Sequence, residues 1–252
     1  MSIICSGLTA EIFSMTTVEI NTKEIAQKLY QKLEGTGWDE ALRTFLLGQS
    51  FENLLDELVK LRNQGKRITP PLKNVFRAFT ECPVNTVKVV MIGQDPYPQL
   101  GVADGIAFSC GNTNYPEASL RYILKEIQET VPVEHQADGS TDLKRWSNQG
   151  ILMLNCALTT NIGEIGKHYE LWSDFIALVL DHLAWNNQGI IYVMLGKKAQ
   201  EWDDYIYDSN YKLLVSHPAS AAYNKQSRWN SQNLFNLVNQ KLLENNKSLI
   251  YW

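Results

Sequence analysis

The sequence is short of the features that usually place a chain quickly. Its four cysteines, Cys5, Cys82, Cys110 and Cys156, are scattered without a Cys-x-x-Cys pair, so no zinc site or disulfide framework is legible and a reducing compartment is expected. No apolar run approaches the roughly 18–20 residues that a membrane helix needs, and there is no internal repeat or low-complexity segment. The first residues, "MSIICSGLTAEIFSM", have no basic region and contain Glu11, which argues against a secretory signal; Met15 offers an alternative start. An excess of positive charge is also missing: the formal net charge of −4 gives no global sign of a nucleic-acid partner.

What is present is a chain of 252 residues with 44% hydrophobic content, enough for one substantial core. No linker divides it, so a single domain is expected over residues 22–252, after a tail over residues 1–21. One local charge asymmetry stands out. From Asp208 to Glu244 there is no acid between, while Lys212, Lys225, Arg228 and Lys241 are interleaved with Tyr211, Tyr223 and Trp229. Cations mixed with aromatics suit a nucleic-acid face, although an Asn- and Gln-rich chain can produce such a gap by chance.

Apolar spacing predicts helices over residues 22–33 and 38–64, then a proline-punctuated turn in "ITPPLKNVFRAF". Four short apolar runs read as strands: "VKVVMIG", "GILMLN", "GIIYVMLG" and "YKLLVSHP". Between and around them, "ASLRYILKEIQETV", "LWSDFIALVLDHLAWN" and "KKAQEWDDYI" read as helices. Alternating strands and helices imply a parallel sheet covered on both faces, where ligands bind beyond the carboxyl ends of the strands. Asp95, Asn155 and His217 each follow one of the strand-like runs.

Singly, each has an ordinary explanation. An Asp after a strand usually caps a helix or forms a turn, Asn at a strand end is a turn residue, and a lone His is a loop residue. Asp95 is nevertheless set in "GQDPYP", where Pro96 restricts the backbone and Tyr97 brings an aromatic ring beside the carboxylate. "GIAFS" follows at residues 105–109, "LN" closes the second strand and "HP" the last.

In this order these motifs resemble the uracil-DNA glycosylase family, whose pattern reads GQDPYH, a GLAFS-like segment, LLLN and HPSPLS. The likeness runs from about Trp38 to the terminal "IYW". It implies an α/β fold of three layers, α/β/α, around a four-stranded, mainly parallel sheet. It also implies excision of uracil from DNA by hydrolysis of the N-glycosidic bond, with no metal or organic cofactor. By the resemblance Asp95 and His217 are catalytic, the first facing the cationic sugar and its water, the second donating to uracil O2. Gln94, Tyr97, Phe108 and Asn155 form the base pocket: Asn155 pairs with N3–H and O4, Phe108 stacks, and Tyr97 excludes the thymine methyl. The loops gripping DNA map to Pro71, Ser119, Lys197 and the segment containing Ser220, Ala221, Tyr223, Lys225 and Arg228. The resemblance further implies uracil-containing DNA as partner, a DNA-mimicking inhibitor protein or replication proteins as others, and no membrane. A monomer in the cytoplasm, or in the nucleus for a eukaryotic or nuclear viral source, is expected.

Three positions depart from the family pattern. Its His after Pro-Tyr is Pro98. "HPSPLS" becomes "HPASAAYN", which puts Ala221 where a leucine wedges into the base stack and leaves Tyr223 as the expected substitute. The serine of its Gly-Ser loop is Lys197. A DNA-binding accessory protein for replication, built on a glycosylase fold, is the alternative reading, and a glycosylase for other damaged or mismatched bases is a third.

Overall fold

The computed structural model describes residues 21–186 and 188–252; the tail expected over 1–21 therefore lies outside the described residues except for Asn21. Asn21 is the cap of α1 (Thr22–Gln31), its side chain accepting from the Glu24 amide at 3.2 Å. The helix expected over 38–64 is in fact three pieces: α2 (Trp38–Ala41), α3 (Arg43–Leu46) and α4 (Gln49–Asn63). The chain leaves helical geometry at Leu42 (φ −110°, ψ 4°) and again at Leu47 (φ −102°, ψ 7°) and Gly48. At Gly37, φ is 78° and an added Cβ would sit 2.5 Å from Val84 Cγ1; at Gly48 it would sit 2.5 Å from the Thr44 carbonyl. Trp38, fully buried between them in sequence, donates its indole N–H to the Cys82 carbonyl at 2.8 Å.

A two-residue strand β1 (Ile68–Thr69) and the helical turn α5 (Arg77–Thr80) lead to the central strand β2 (Val89–Gly93). Then come α6 (Ala118–Thr130), α7 (Lys144–Ser147), β3 (Ile151–Asn155) and the short β4 (Thr160–Asn161), which pairs antiparallel with β1. The chain finishes with α8 (Tyr169–Asn186), β5 (Ile191–Leu195), α9 (Lys197–Gln200), β6 (Tyr211–Val215), α10 (Ala219–Tyr223) and α11 (Leu234–Glu244). The single helix expected in "KKAQEWDDYI" is only the turn α9 followed by a separate 3-10 turn at Asp203–Tyr205.

The sheet order is β3-β2-β5-β6, and every pairing in it is parallel. All residues of β2, β3 and β5 are buried, as expected of strands covered by helices on both sides. Strand β6 lies at the edge and is only partly covered, with Leu214 exposed and Lys212 placed between apolar neighbours, a charge that discourages further strand pairing. Aromatic packing supports the helices: Phe76, Phe79, Trp172 and Phe175 form one connected cluster, and Trp146, Phe235 and Trp252 another. Register aligns the strand ends. Gly93 pairs with Asn155 and Leu195 with Val215, so all four strands deliver their following residues to one edge of the sheet.

Candidate active site

A cleft of about 330 Å³ opens at that edge, lined by Gln94, Asp95, Tyr97, Phe108, Asn155 and His217 among others. Its floor depends on a glycine. At Gly93 a Cβ would approach Asn155 Oδ1 to 2.7 Å and Phe108 Cζ to 2.8 Å, so only the bare backbone lets the amide and the ring stand together. Asn155 is buried at the end of β3.

Phe108 is itself held under constraint. Its φ of 61° is uncommon for a bulky residue, and such a conformation persists only where the surroundings determine it. The determinants are visible. Asp104, 1% exposed, accepts from the Ile106 amide at 3.1 Å, the Ser109 hydroxyl at 2.6 Å and the Gly111 amide at 2.9 Å. Arg77 bridges Asp104 at 2.8 Å and Asp142 at 2.7 Å, so the buried carboxylate is both paired and hydrogen-bonded. Tyr97 closes the loop from the other side, its hydroxyl donating to the Phe108 carbonyl at 3.2 Å. Burial drives the Tyr97 phenol far above its ordinary range, so it remains a neutral hydrogen-bond donor.

Opposite Phe108, at 5.6 Å between ring centroids, stands His217. Its Nδ1 accepts from the Ala219 amide at 3.2 Å, which places the proton of the neutral ring on Nε2. Burial lowers its pKa to about 4, because nothing charged nearby compensates for lost solvation of the imidazolium. The arrangement is therefore a neutral donor at neutral pH.

Asp95 has the opposite demand, since a carboxylate must stay charged in a partly enclosed place. Burial raises its pKa, and hydrogen bonds from the Gly166 amide, Thr160 and Tyr169 oppose that rise. The Gly166 bond reaches Oδ2 at 2.7 Å. Gly166 belongs to a loop held by buried polar groups: the Trp172 indole donates to Thr159 Oγ1 at 2.7 Å, and Thr159 Oγ1 lies 2.8 Å from His168 Nδ1. His168 Nε2 is 3.1 Å from Asn161 Oδ1, and Asn161 in turn donates to Glu164 Oε2 at 2.8 Å. The hydroxyl proton of Thr159 serves Nδ1 and the His168 Nε2 proton serves Asn161, while burial keeps this imidazole neutral as well.

A comparison with known families decides what this frame is. A model of the Uracil DNA glycosylase superfamily matches residues 79–243. The chain belongs to that superfamily. Uracil-DNA glycosylases of Acinetobacter baumannii strain SDF and Phocaeicola vulgatus are 31% and 37% identical to it, over 92% and 68% of this chain and 97% and 78% of theirs. Among solved structures, mimivirus uracil-DNA glycosylase superposes with a TM-score of 0.78 at 25% identity, covering 91% of this chain and 90% of that one. A mimivirus variant crystallised with the protein UGI superposes with a TM-score of 0.76 at 26% identity, covering 88% and 90%. The chain is thus a DNA-repair glycosidase by family, with the fold expected from its motifs.

The glycosylase cleft gathers most of the residues singled out from the sequence. Ser119, Ser220 and Tyr223 line it together with the six named above. Tyr223 is 79% exposed at the end of α10, whereas Ala221 is 0% exposed and packs into the core. Pro71 lies elsewhere, on a second cavity beside Pro70, Arg62 and Arg67. Lys197 is exposed at the start of α9, and Lys225 is exposed after α10 with φ 53°.

The acid-free run does not form one continuous basic face. Arg228 pairs with Glu129 at 3.1 Å, Lys212 with Asp203 at 3.1 Å and Lys241 with Glu244 at 2.6 Å. Trp229 is buried, donating its indole N–H to the Ser216 carbonyl at 3.0 Å. Glu129 reaches the run from a distant part of the chain, while Asp203 and Glu244 stand just outside its two ends.

Residues missed from sequence are Gly166 and Tyr169, which reach Asp95 from more than 70 positions away, and the His168 group that supports them. The only sequence signal was weak: Gly163 and Gly166 flanking a short polar loop between a strand and a helix. Among the described residues no cluster of His, Cys, Asp or Glu is arranged to hold a metal, and no helix is long and apolar enough to cross a membrane.

Proposed function

We propose that the protein removes uracil from DNA by hydrolysing the N-glycosidic bond after the nucleotide rotates out of the duplex into the cleft, leaving an abasic site. The observation that carries this reading is the convergence of a carboxylate, a neutral histidine and an amide on one cleft at the strand ends. The bond between C1′ and uracil N1 breaks with its electron pair going to the base. A water oxygen then bonds to C1′, and its proton passes to Asp95.

Each group fits one demand of that reaction. Asp95 opposes the positive charge that develops on the sugar; at about 4 Å and an effective dielectric near 20 such a pair is worth about 4 kcal/mol. His217, holding its proton on Nε2, donates to the uracil oxygen as negative charge builds there. Asn155 offers an acceptor and a donor matched to N3–H and O4, the reverse of what cytosine presents, and hydrogen-bonded sites of this kind reject mismatches by roughly 10⁴-fold. Phe108 stacks on the base, Gln94 borders it, and Tyr97 blocks the methyl of thymine.

Rotating the nucleotide out costs a few kcal/mol. Tyr223, exposed at the rim, enters the stack in place of the leucine that Ala221 replaces. Pro71, Ser119, Ser220, Lys197 and Lys225 are assigned to the DNA backbone, and Arg228 to its periphery through its exposed, Glu129-paired side chain. One chain carries every group in the scheme, so a monomer suffices, and a DNA-mimicking inhibitor protein is assigned to the same mouth.

The test is incubation with a uracil-containing oligonucleotide and detection of alkali-labile abasic sites. Wild type is expected to cleave and Asp95→Asn to lose at least about 10³-fold in single-turnover rate. DNA binding without cleavage at any enzyme level would instead select the replication-accessory reading.

A further inference from the structure

Large apolar side chains left in solvent are scattered over the described surface, and one standing alone ordinarily needs no explanation. Two of them, Tyr223 and Ile165, also line the cleft. Tyr223 is assigned to the base stack, which leaves Ile165, 56% exposed in the loop between β4 and α8, with nothing to cover it.

The chain around Ile165 is fastened on both sides. Gly163 (φ 81°) and Gly166 (φ 74°) allow the tight turns that carry Glu164 and Ile165 between them. The Gly163 amide donates to the Pro98 carbonyl at 2.9 Å, and the Gly166 amide to Asp95 Oδ2 at 2.7 Å. Glu164 is held at three points: its amide donates to the Asn161 carbonyl at 3.0 Å, its carbonyl accepts from the Thr160 hydroxyl at 2.6 Å, and its carboxylate accepts from Asn161 Nδ2 at 2.8 Å and pairs with Lys66. Ile165 itself stays outside the hydrophobic core, whereas Tyr169 and Leu171 just beyond it pack against that core. An aliphatic group displayed on so well anchored a turn loses little entropy when something covers it.

The same anchors fix where it stands relative to the reaction. Gly166 fastens the turn to Asp95, which faces the sugar, while Tyr223 ends the helix that follows His217, which faces the base. A nucleotide held through its base by Asn155 and His217 and through its sugar by Asp95 must lead its strand out past the Asp95 side of the mouth. A phosphate gains nothing from an isoleucine. The apolar surface that the strand offers there is the face of a neighbouring base, bared when uracil leaves the stack, and aliphatic side chains cover such faces in other DNA-binding proteins.

We propose that Ile165 packs against the base next to uracil on the same strand, so that it grips the strand while Tyr223 acts on the duplex. This rests on the uracil-excision reading for which nucleotide enters the cleft.

A cycle of changes in protein and DNA tests the contact. Wild type and Ile165→Ala are compared on single-stranded oligonucleotides that carry either the neighbouring base or a base-free tetrahydrofuran residue in its place, on the 5′ side and on the 3′ side in turn. With both bases present, kcat/KM is expected to fall about 10-fold in Ile165→Ala, as loss of most of an apolar contact of this size requires. With the base removed on the contacted side, variant and wild type are expected to agree within about 2-fold. Ile165→Leu, which keeps the aliphatic bulk, is expected to restore most of the wild-type rate. No loss in Ile165→Ala overturns the proposal, and so does an equal loss whether or not either neighbour has its base, since the residue would then act only through the loop that holds Asp95. Affinity for an oligonucleotide containing 2′-fluorinated deoxyuridine, whose fluorine opposes positive charge at C1′ and slows cleavage, gives the same cycle without turnover. If wild type leaves uracil in place, the functional reading falls, while the affinity cycle still decides whether Ile165 meets the neighbouring base.

Discussion

The floor of the cleft and its rim are built on different principles. On the floor, Asp95 follows the fully buried strand β2, Asn155 ends the fully buried β3 and His217 follows the edge strand β6, and the groups around them leave no free space at Gly93. At the rim Tyr223 stands exposed at the end of a five-residue helix, and Lys197 and Lys225 are exposed outside the cleft lining, on the four-residue α9 and just beyond α10. Chemistry at the reacting atoms requires sub-ångström placement, which a sheet provides. Gripping a phosphate backbone requires only charge and approximate reach.

The contrast can be broken at its most rigid point. Gly93→Ala places a methyl against Asn155 Oδ1 and Phe108 Cζ, and a displacement of about 1 Å there is expected to lower kcat by roughly 100-fold. Single-turnover excision measures it, with thermal unfolding to show that the sheet persists; a change under 3-fold, by about the same rule, would mean the floor tolerates what the rim tolerates.

Next in size is Tyr223→Ala. Loss of a wedge forfeits part of the few kcal/mol spent on base extrusion, so excision from duplex is expected to fall about 10-fold while a single-stranded substrate is cut unchanged. Equal losses on both substrates would place Tyr223 with the floor.

Smaller still is Lys197→Ser. The salt dependence of duplex affinity is expected to flatten by about one unit of slope with little effect on kcat at saturating DNA. The smallest effect concerns the floor in the absence of DNA. The folded-state pKa of His217 lies near 4, below the ordinary value of 6.5, so between these the unfolded chain binds more protons. Stability contributed by keeping this ring neutral is therefore present above about 6.5 and lost as pH falls toward 4. In His217→Gln the corresponding part of the acid slope, at most one proton, is expected to vanish in denaturant titrations across that range.

Not all of this was equally legible. Three of the four parallel strands, β2, β3 and β5, could be read because strands covered on both faces are continuous apolar runs, and the edge strand β6 because its apolar residues precede a turn at His217-Pro218. The division of residues 38–64 could not, since the chain leaves helical geometry at Leu42, Leu47 and Gly48 within an apolar pattern that runs on without interruption. The basic reading of the run after Asp208 failed in part because Glu129 and Asp203 neutralise Arg228 and Lys212 from outside it.

By itself the sequence determined which four strands make the parallel sheet and that chemically distinctive residues, Asp95, Asn155 and His217, stand at or just beyond their carboxyl ends. These are local properties, set by hydrophobic period and by the residues adjoining each run. Only the tertiary structure decided the protonation of those groups and what holds them. Desolvation of His217 depends on everything packed around it, and the amide that holds the Asp95 carboxylate is that of Gly166, far along the chain and adjacent only after folding. It also decided that Ala221 is core and Tyr223 rim, because a single helical turn points one into the protein and leaves the other in solvent.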